Sequence, residues 1–182
     1  MGLFKNLLKK QIIKSVDSFN KGSHSRTKKS DKQFMQEIRK KQKLADDIRK
    51  QAKFQSTGLL KIVYDCVELV NTTVNPEVFF MRYNLMLENL EKLVGLECTG
   101  IFDNASELPS TALLRVEEQF TLATNDFLDR SFAKAKQHAE TLKTDKGKIN
   151  AINRYFNDME KYIHKMSSES LEYFDKMKET NY

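Results

Sequence analysis

Three histidines, two cysteines and a scatter of carboxylates are the residues of this 182-residue chain whose types could carry out chemistry. A dinuclear carboxylate site in a helical protein needs two Glu-x-x-His pairs and two further glutamates turned inward. The nearest approach is Glu160 with His164, four residues apart, and no second pair accompanies it. A zinc-protease helix needs two histidines at i and i+4 around a glutamate, whereas His24, His138 and His164 are isolated. Acid–base work by Asp126 with Asp129, or by Glu117 with Glu118, would require burial in three dimensions to separate their proton affinities. Cys98 lies beside Thr99 and Gly100 in an irregular stretch, and is the more exposed candidate nucleophile of the two, with His138 or His164 as its base.

A loop that cradles phosphate needs clustered glycines, and the six glycines at 2, 22, 58, 95, 100 and 147 are dispersed. Twelve Phe and six Tyr fall mostly on helix faces and read as core. Cys66 and Cys98 lack the C-x-x-C spacing of a metal or redox motif, so they read as buried free thiols in a reducing, cytoplasmic compartment. The sequence thus predicts no catalytic residue, no metal site, no cofactor and no small-molecule substrate.

The elements that would position any such residues are helical. Gly and Pro number six and two, and hydrophobic and charged residues make up 40% and 31% of the chain, rich in the Lys, Glu, Leu, Met and Gln that helices favour. The expected fold is all-α: an elongated bundle of about four long helices over residues 31–182, preceded by an amphipathic helix at 1–19 and a flexible basic linker at 20–30. From Lys32 to about Phe54 a charged helix carries a thin stripe of Phe34, Ile38, Ala45, Ile48 and Ala52. "QSTG" at 55–58 offers a break that a helix could absorb. In "LLKIVYDCVELV" the polar residues Lys61, Asp65, Glu68 and Thr72 form one helical stripe, which excludes a strand.

Asn75, Pro76 and Glu77 form the clearest boundary, a cap, a first-turn proline and an acid at the positive end of a helix. That helix runs to Val94 with Gly95 as its stop, and Ile101 and Phe102 should pack back on the core. Pro109 starts another helix, continuing to about Leu142. The last helix shows a heptad-like seam of Ile149, Ile152, Phe156, Met159, Ile163, Met166, Tyr173 and Met177, interrupted only by Ser170. One helix over 146–179 would be roughly 50 Å long.

Charge is distributed unevenly. Residues 1–53 carry +11 and residues 54–182 carry −5, so an anionic partner should meet the first third of the chain. Phe4, Leu7, Leu8, Ile12 and Phe19 share one side of a helical wheel and form a candidate face for a membrane or a partner. Arg26, Lys28, Lys29, Arg39, Lys40, Lys41, Lys43, Arg49, Lys50 and Lys53 are candidate anion-binding residues. Lysines interrupt the opening segment too often for a secretory signal, Asn6 stands where an N-myristoylation pattern needs Ser or Thr, and no apolar run is long enough to span a bilayer.

The function expected from these residues is that of a non-enzymatic adaptor or assembly protein, binding a protein partner or itself through helix faces. A peripheral binder of anionic membrane, at the inner face, or of nucleic acid through residues 1–53 is the alternative, and a helical enzyme with a composite site is the third.

Overall fold

The structure, a computed structural model, describes residues 31–181, and every residue in them that adopts regular structure is helical. Six α-helices follow in order: α1 (Asp31–Thr72), α2 (Pro76–Val94), α3 (Pro109–Glu118), α4 (Phe120–Glu140), α5 (Asp145–Glu160) and α6 (Ser168–Thr180), with short 3-10 turns at Glu97–Thr99 and Ile163–Lys165. The all-α bundle expected from composition is the fold observed. Residues 1–19 and 20–30, read from the sequence as helix and linker, lie outside the described residues.

α1 is one unbroken helix of 42 residues, about 63 Å long at 1.5 Å per residue. The break open to "QSTG" is absorbed. Gly58 is exposed, with open space where a Cβ would stand, and the Ser56 and Thr57 hydroxyls both donate to the Lys53 carbonyl at 2.9 Å, satisfying themselves inside the helix. Glycine's cost of about 1 kcal/mol against alanine is outweighed by the packing of Val63, Cys66 and Val70 on either side of the following turns. Lys61, Asp65, Glu68 and Thr72 are all exposed, as one polar stripe must be.

α2 begins as the sequence predicts. The Asn75 side chain accepts from the backbone N–H of Glu77 (2.9 Å) and of Val78 (3.3 Å), and Pro76 occupies the first helical position. This turn folds α2 back along the second half of α1. Phe79, Phe80, Tyr83, Met86, Leu90 and Leu93 of α2 are buried, and burial of each large apolar side chain contributes roughly 1.5–3 kcal/mol.

Two of the long helices expected from periodicity are each divided, so four expected stretches become six helices. The stretch from Pro109 kinks at Gln119, where α3 gives way to α4. Tyr83, from α2, donates its hydroxyl to the carbonyl of Val116, the acceptor that the fourth residue onward would use in a straight helix. A side chain inserted in the backbone ladder is a sufficient cause of such a kink.

The stretch from 146 to 179 is not one helix and its seam is not a coiled coil. α5 ends at Glu160, the chain turns through Ile163–Lys165, and α6 restarts at a Ser167 cap that accepts from the Ser170 N–H at 3.2 Å. α4 is 21 residues long, about 32 Å, and a straight 50 Å partner would outrun it. Folding back brings Phe174 to Phe156, ring centroids 5.8 Å apart, and the Lys178 ammonium to the Glu160 carboxylate. Phe156 and Met159 are buried in the seam, Ile152, Met166, Tyr173 and Met177 half-buried, and Ile149 and Ile163 exposed. Ser170 faces inward, fully buried, and its hydroxyl donates to the Thr121 carbonyl at 3.3 Å.

The bundle therefore consists of two three-helix groups. α1 and α3 pack on α2, and α5 and α6 pack on α4. The groups meet in an aromatic cluster: Phe79 stacks on Phe127 (4.4 Å), Phe80 on Tyr162 (5.9 Å), and Tyr83 meets Phe120 edge-on (4.8 Å).

Two tests follow from this packing. Burial pushes the phenols of Tyr83 and Tyr155 up to about 12 from an ordinary 10. A folded-state pKa above the unfolded value means that the stability these groups contribute is intact below pH 10 and is lost as pH rises through 12. Ultraviolet titration should show the Tyr83 and Tyr155 phenols ionising late, together with alkaline unfolding; both ionising near 10 in folded protein would contradict the packing. Ser167→Ala should lower the unfolding free energy by about 1 kcal/mol in denaturant titration, because it removes both the cap and the Thr121–Ser167 hydroxyl contact at 2.9 Å.

Candidate functional site

The first half of α1 projects beyond the bundle. From Gln33 to Gln51 every residue is exposed except the half-buried Ile38 and Ile48, and the first buried residue of the helix is Ala52. These nineteen residues extend for about 28 Å. No Gly or Pro interrupts them, and Lys, Arg, Gln, Ala, Leu and Met dominate. Glu37 to Lys41, Lys43 to Asp47 and Asp46 to Lys50 have the i, i+4 spacing that supports a solvated helix. Nucleation, the costly step for a free helix, is already accomplished by the packed half, so the arm forms by propagation.

Its base is fixed to the bundle. The Arg49 Nε donates to the Thr99 carbonyl at 3.3 Å, in the 3-10 turn after α2. Ile101 and Phe102, half-buried, border a shallow depression with Arg49, Lys53 and Leu60. They do pack back on the bundle, as their hydrophobicity requires.

The predicted anion-binding residues Arg39, Lys40, Lys41, Lys43, Arg49, Lys50 and Lys53 all lie exposed along this arm. Arg26, Lys28 and Lys29, and the apolar set Phe4, Leu7, Leu8, Ile12 and Phe19, lie outside the described residues. On the wheel, Phe34, Ile38, Ala45 and Ile48 continue the line of the buried stripe of Ala52, Val63, Cys66 and Val70, while Arg39, Lys43 and Lys50 occupy the opposite side. Phe34, on that line, is 58% exposed, and Leu44 and Met35, on its two flanks, are 59% and 49% exposed. The arm is thus amphipathic, with its apolar side bare among the described residues.

Two of the carboxylates that could do chemistry have other partners. Glu160 holds Lys178, and the Asp129 carboxylate accepts from the Tyr173 hydroxyl at 2.7 Å. Burial pushes the Cys66 thiol up from its ordinary pKa, opposed by the nearby Arg82 guanidinium. Cys98, read both as a buried thiol and as the more exposed of the two, is exposed: it sits on the 3-10 turn between Gly95 and Gly100, and its thiol donates to the Gly95 carbonyl at 3.7 Å. His138 and His164 are exposed. Among the described residues no three His, Cys, Asp or Glu side chains are grouped to hold a metal ion.

A second surface is one that periodicity did not single out. Tyr64 and Val67 of α1 are 70% and 38% exposed and edge an apolar groove between α1 and α3. The run from Leu59 to Val70 is apolar on more than one face, more than α2 alone can cover, and that breadth was the available signal.

No family model matches the chain, and neither a curated protein nor a solved structure is significantly similar to it. No described helix is long and apolar enough to cross a membrane.

The two thiols provide a check on this placement. A thiol reagent should modify Cys98 in the native protein and Cys66 only on unfolding, giving one fast equivalent of two. Removal of the fast phase by Cys98→Ser would confirm the assignment, whereas two fast equivalents would contradict the burial of Cys66.

Proposed function

We propose that this is a non-enzymatic interaction protein in which the bundle serves as a base for the cationic arm of α1, and that the arm docks on the anionic surface of a membrane. The observation that carries the reading is the exposure of Phe34, Met35 and Leu44 on the same free helix as Arg39, Lys40, Lys43 and Lys50. A phosphate backbone would need only the cations. A lipid surface uses both sides of such a helix, the apolar residues at the acyl boundary and each nearby Lys or Arg worth about 1 kcal/mol against anionic headgroups. The strongly basic composition of residues 1–30, eight Lys and Arg against one Asp, adds to the attraction. Location at the inner face of a membrane, where anionic lipid is concentrated, is part of the same proposal.

Flotation with vesicles tests it. The full chain should float with phosphatidylserine-containing vesicles at low salt, detach at high salt as the charges are screened, and ignore vesicles of phosphatidylcholine alone. Phe34→Ser with Ile48→Ser should weaken binding by about tenfold or more, as the loss of roughly 1.5–3 kcal/mol of apolar burial per side chain implies. Flotation unchanged by these substitutions, or duplex DNA bound more tightly than vesicles at equal salt, would overturn the membrane assignment.

A further inference from the structure

Over the middle of α2, between α1 and α3, runs an apolar groove of about 620 Å³. Tyr83, Met86 and Leu90 form its floor, Val67 belongs to the α1 wall and Val116 to the α3 wall. α1 and α3 both lean on α2, and the space between them is left open above it. Residues 96–118, the loop and α3 that flank the groove, hold five carboxylates (Glu97, Asp103, Glu107, Glu117, Glu118) against one cation, Arg115, and of the five Glu107 lines the groove itself. That cation is already neutralised by Glu107, at 2.7 Å on the groove's edge. An apolar trough whose flanking loop and helix carry a net negative charge suits a basic amphipathic helix that anchors side chains at helical spacing.

The chain itself carries such a segment. Residues 4–19 place Phe4, Leu7, Leu8, Ile12 and Phe19 on one side of a wheel and contain four Lys against one Asp. The α1 wall, Leu60 to Asn71, is about 17 Å long; Phe4 to Phe19 would measure about 22 Å as a helix, about one turn more than the wall.

Reach decides which copy supplies the segment. The twelve steps from Phe19 to Asp31 span at most about 43 Å when fully extended, and on average about 20 Å for a flexible linker. The near end of the groove, at Leu60, is about 44 Å along α1 from Asp31. A chain cannot reach its own groove without stretching its linker to the limit, so its effective concentration there is close to nil. A second copy has no such constraint.

We propose that the groove between α1 and α3 receives residues 4–19 of a second copy of this chain, so that two molecules assemble by exchanging these segments. The proposal does not depend on the arm's membrane binding, and each can fail alone.

Two full-length variants test it, one carrying Leu8→Cys and the other Val67→Cys, both with Cys98→Ser. Mixed and mildly oxidised, they should give a disulfide-linked species of twice the chain mass, well above that from either variant alone. Its absence overturns the proposal. Both substitutions in one chain should also link two chains; a linked monomer would mean that the segment reaches its own groove, against the reach argument. Sedimentation supplies a readout without cysteines. The full chain should have twice the monomer mass, and this doubling should be lost on deleting residues 1–19 or on introducing Tyr64→Glu with Val67→Glu at the exposed wall. A monomeric full chain, or a dimer that survives both changes, would overturn the exchange. Phe34→Ser with Ile48→Ser should leave the mass unchanged.

Discussion

The stacked rings of Phe79 and Phe127 are the contact on which the arrangement of this protein turns. Their centroids are 4.4 Å apart with planes only 17° from parallel, and both side chains are fully buried. Elsewhere the two three-helix groups touch sparingly: the Arg130 guanidinium donates to the Val70 carbonyl at 2.9 Å, and Tyr83 braces the junction of α3 and α4. Aromatic pairs contribute about 0.5–1.5 kcal/mol beyond the area they bury, and several such pairs run from Phe80 through Phe127 and Tyr83. The fold coheres because Phe79, Phe80 and Tyr83 of α2 reach the second group at Phe127, Tyr162 and Phe120 while the helix also packs against α1 and α3. This division of α2 also accounts for the open groove, since a helix that must serve three neighbours leaves α1 and α3 apart.

The arm follows from a mismatch of lengths. α2 covers 19 residues of its neighbour's 42, and the turn at Asn75 fixes which end of α1 is covered. Once the turn is made, the N-terminal half has no helix beside it among the described residues. Its composition agrees with that position: the apolar stripe thins, the cations multiply, and i, i+4 pairing takes over from packing as the source of helical stability.

Helix type and several boundaries were legible in the sequence because they are local. Asn75, Pro76, Gly95 and Pro109 act within a turn of themselves, and the polar stripe of Lys61, Asp65, Glu68 and Thr72 needs only the helical period. The divisions were not legible, for they depend on partners distant in sequence. Gln119 kinks because Tyr83, on another helix, takes the Val116 carbonyl. The seam at 149–177 has an unbroken period, yet α4 is too short to cover a straight helix of that length. Its one local trace was Ser170, read as an interruption of the seam, which lies in the first turn of a new helix and donates its N–H to the Ser167 cap. At Cys98 two local signals disagreed, apolar neighbours suggesting burial and the irregular stretch suggesting exposure, and the turn places the thiol outside. Of the candidate site, the cations of 39–53 were legible as charge; their projection beyond the bundle required knowing where α2 stops.

The continuity of α1 through Gly58 has a further consequence, which concerns phase. Because no turn or hinge separates the arm from the packed half, the azimuth of Phe34, Ile38 and Ile48 is set by that of Val63, Cys66 and Val70, at about 100° per residue. The helix behaves as a keyed shaft. One residue gained or lost between Ala52 and Ser56 would swing the whole apolar line by more than a quarter turn while leaving length, charge and helix content nearly as they were. What the arm presents outward is therefore encoded as much in the count of residues at its root as in the residues it displays.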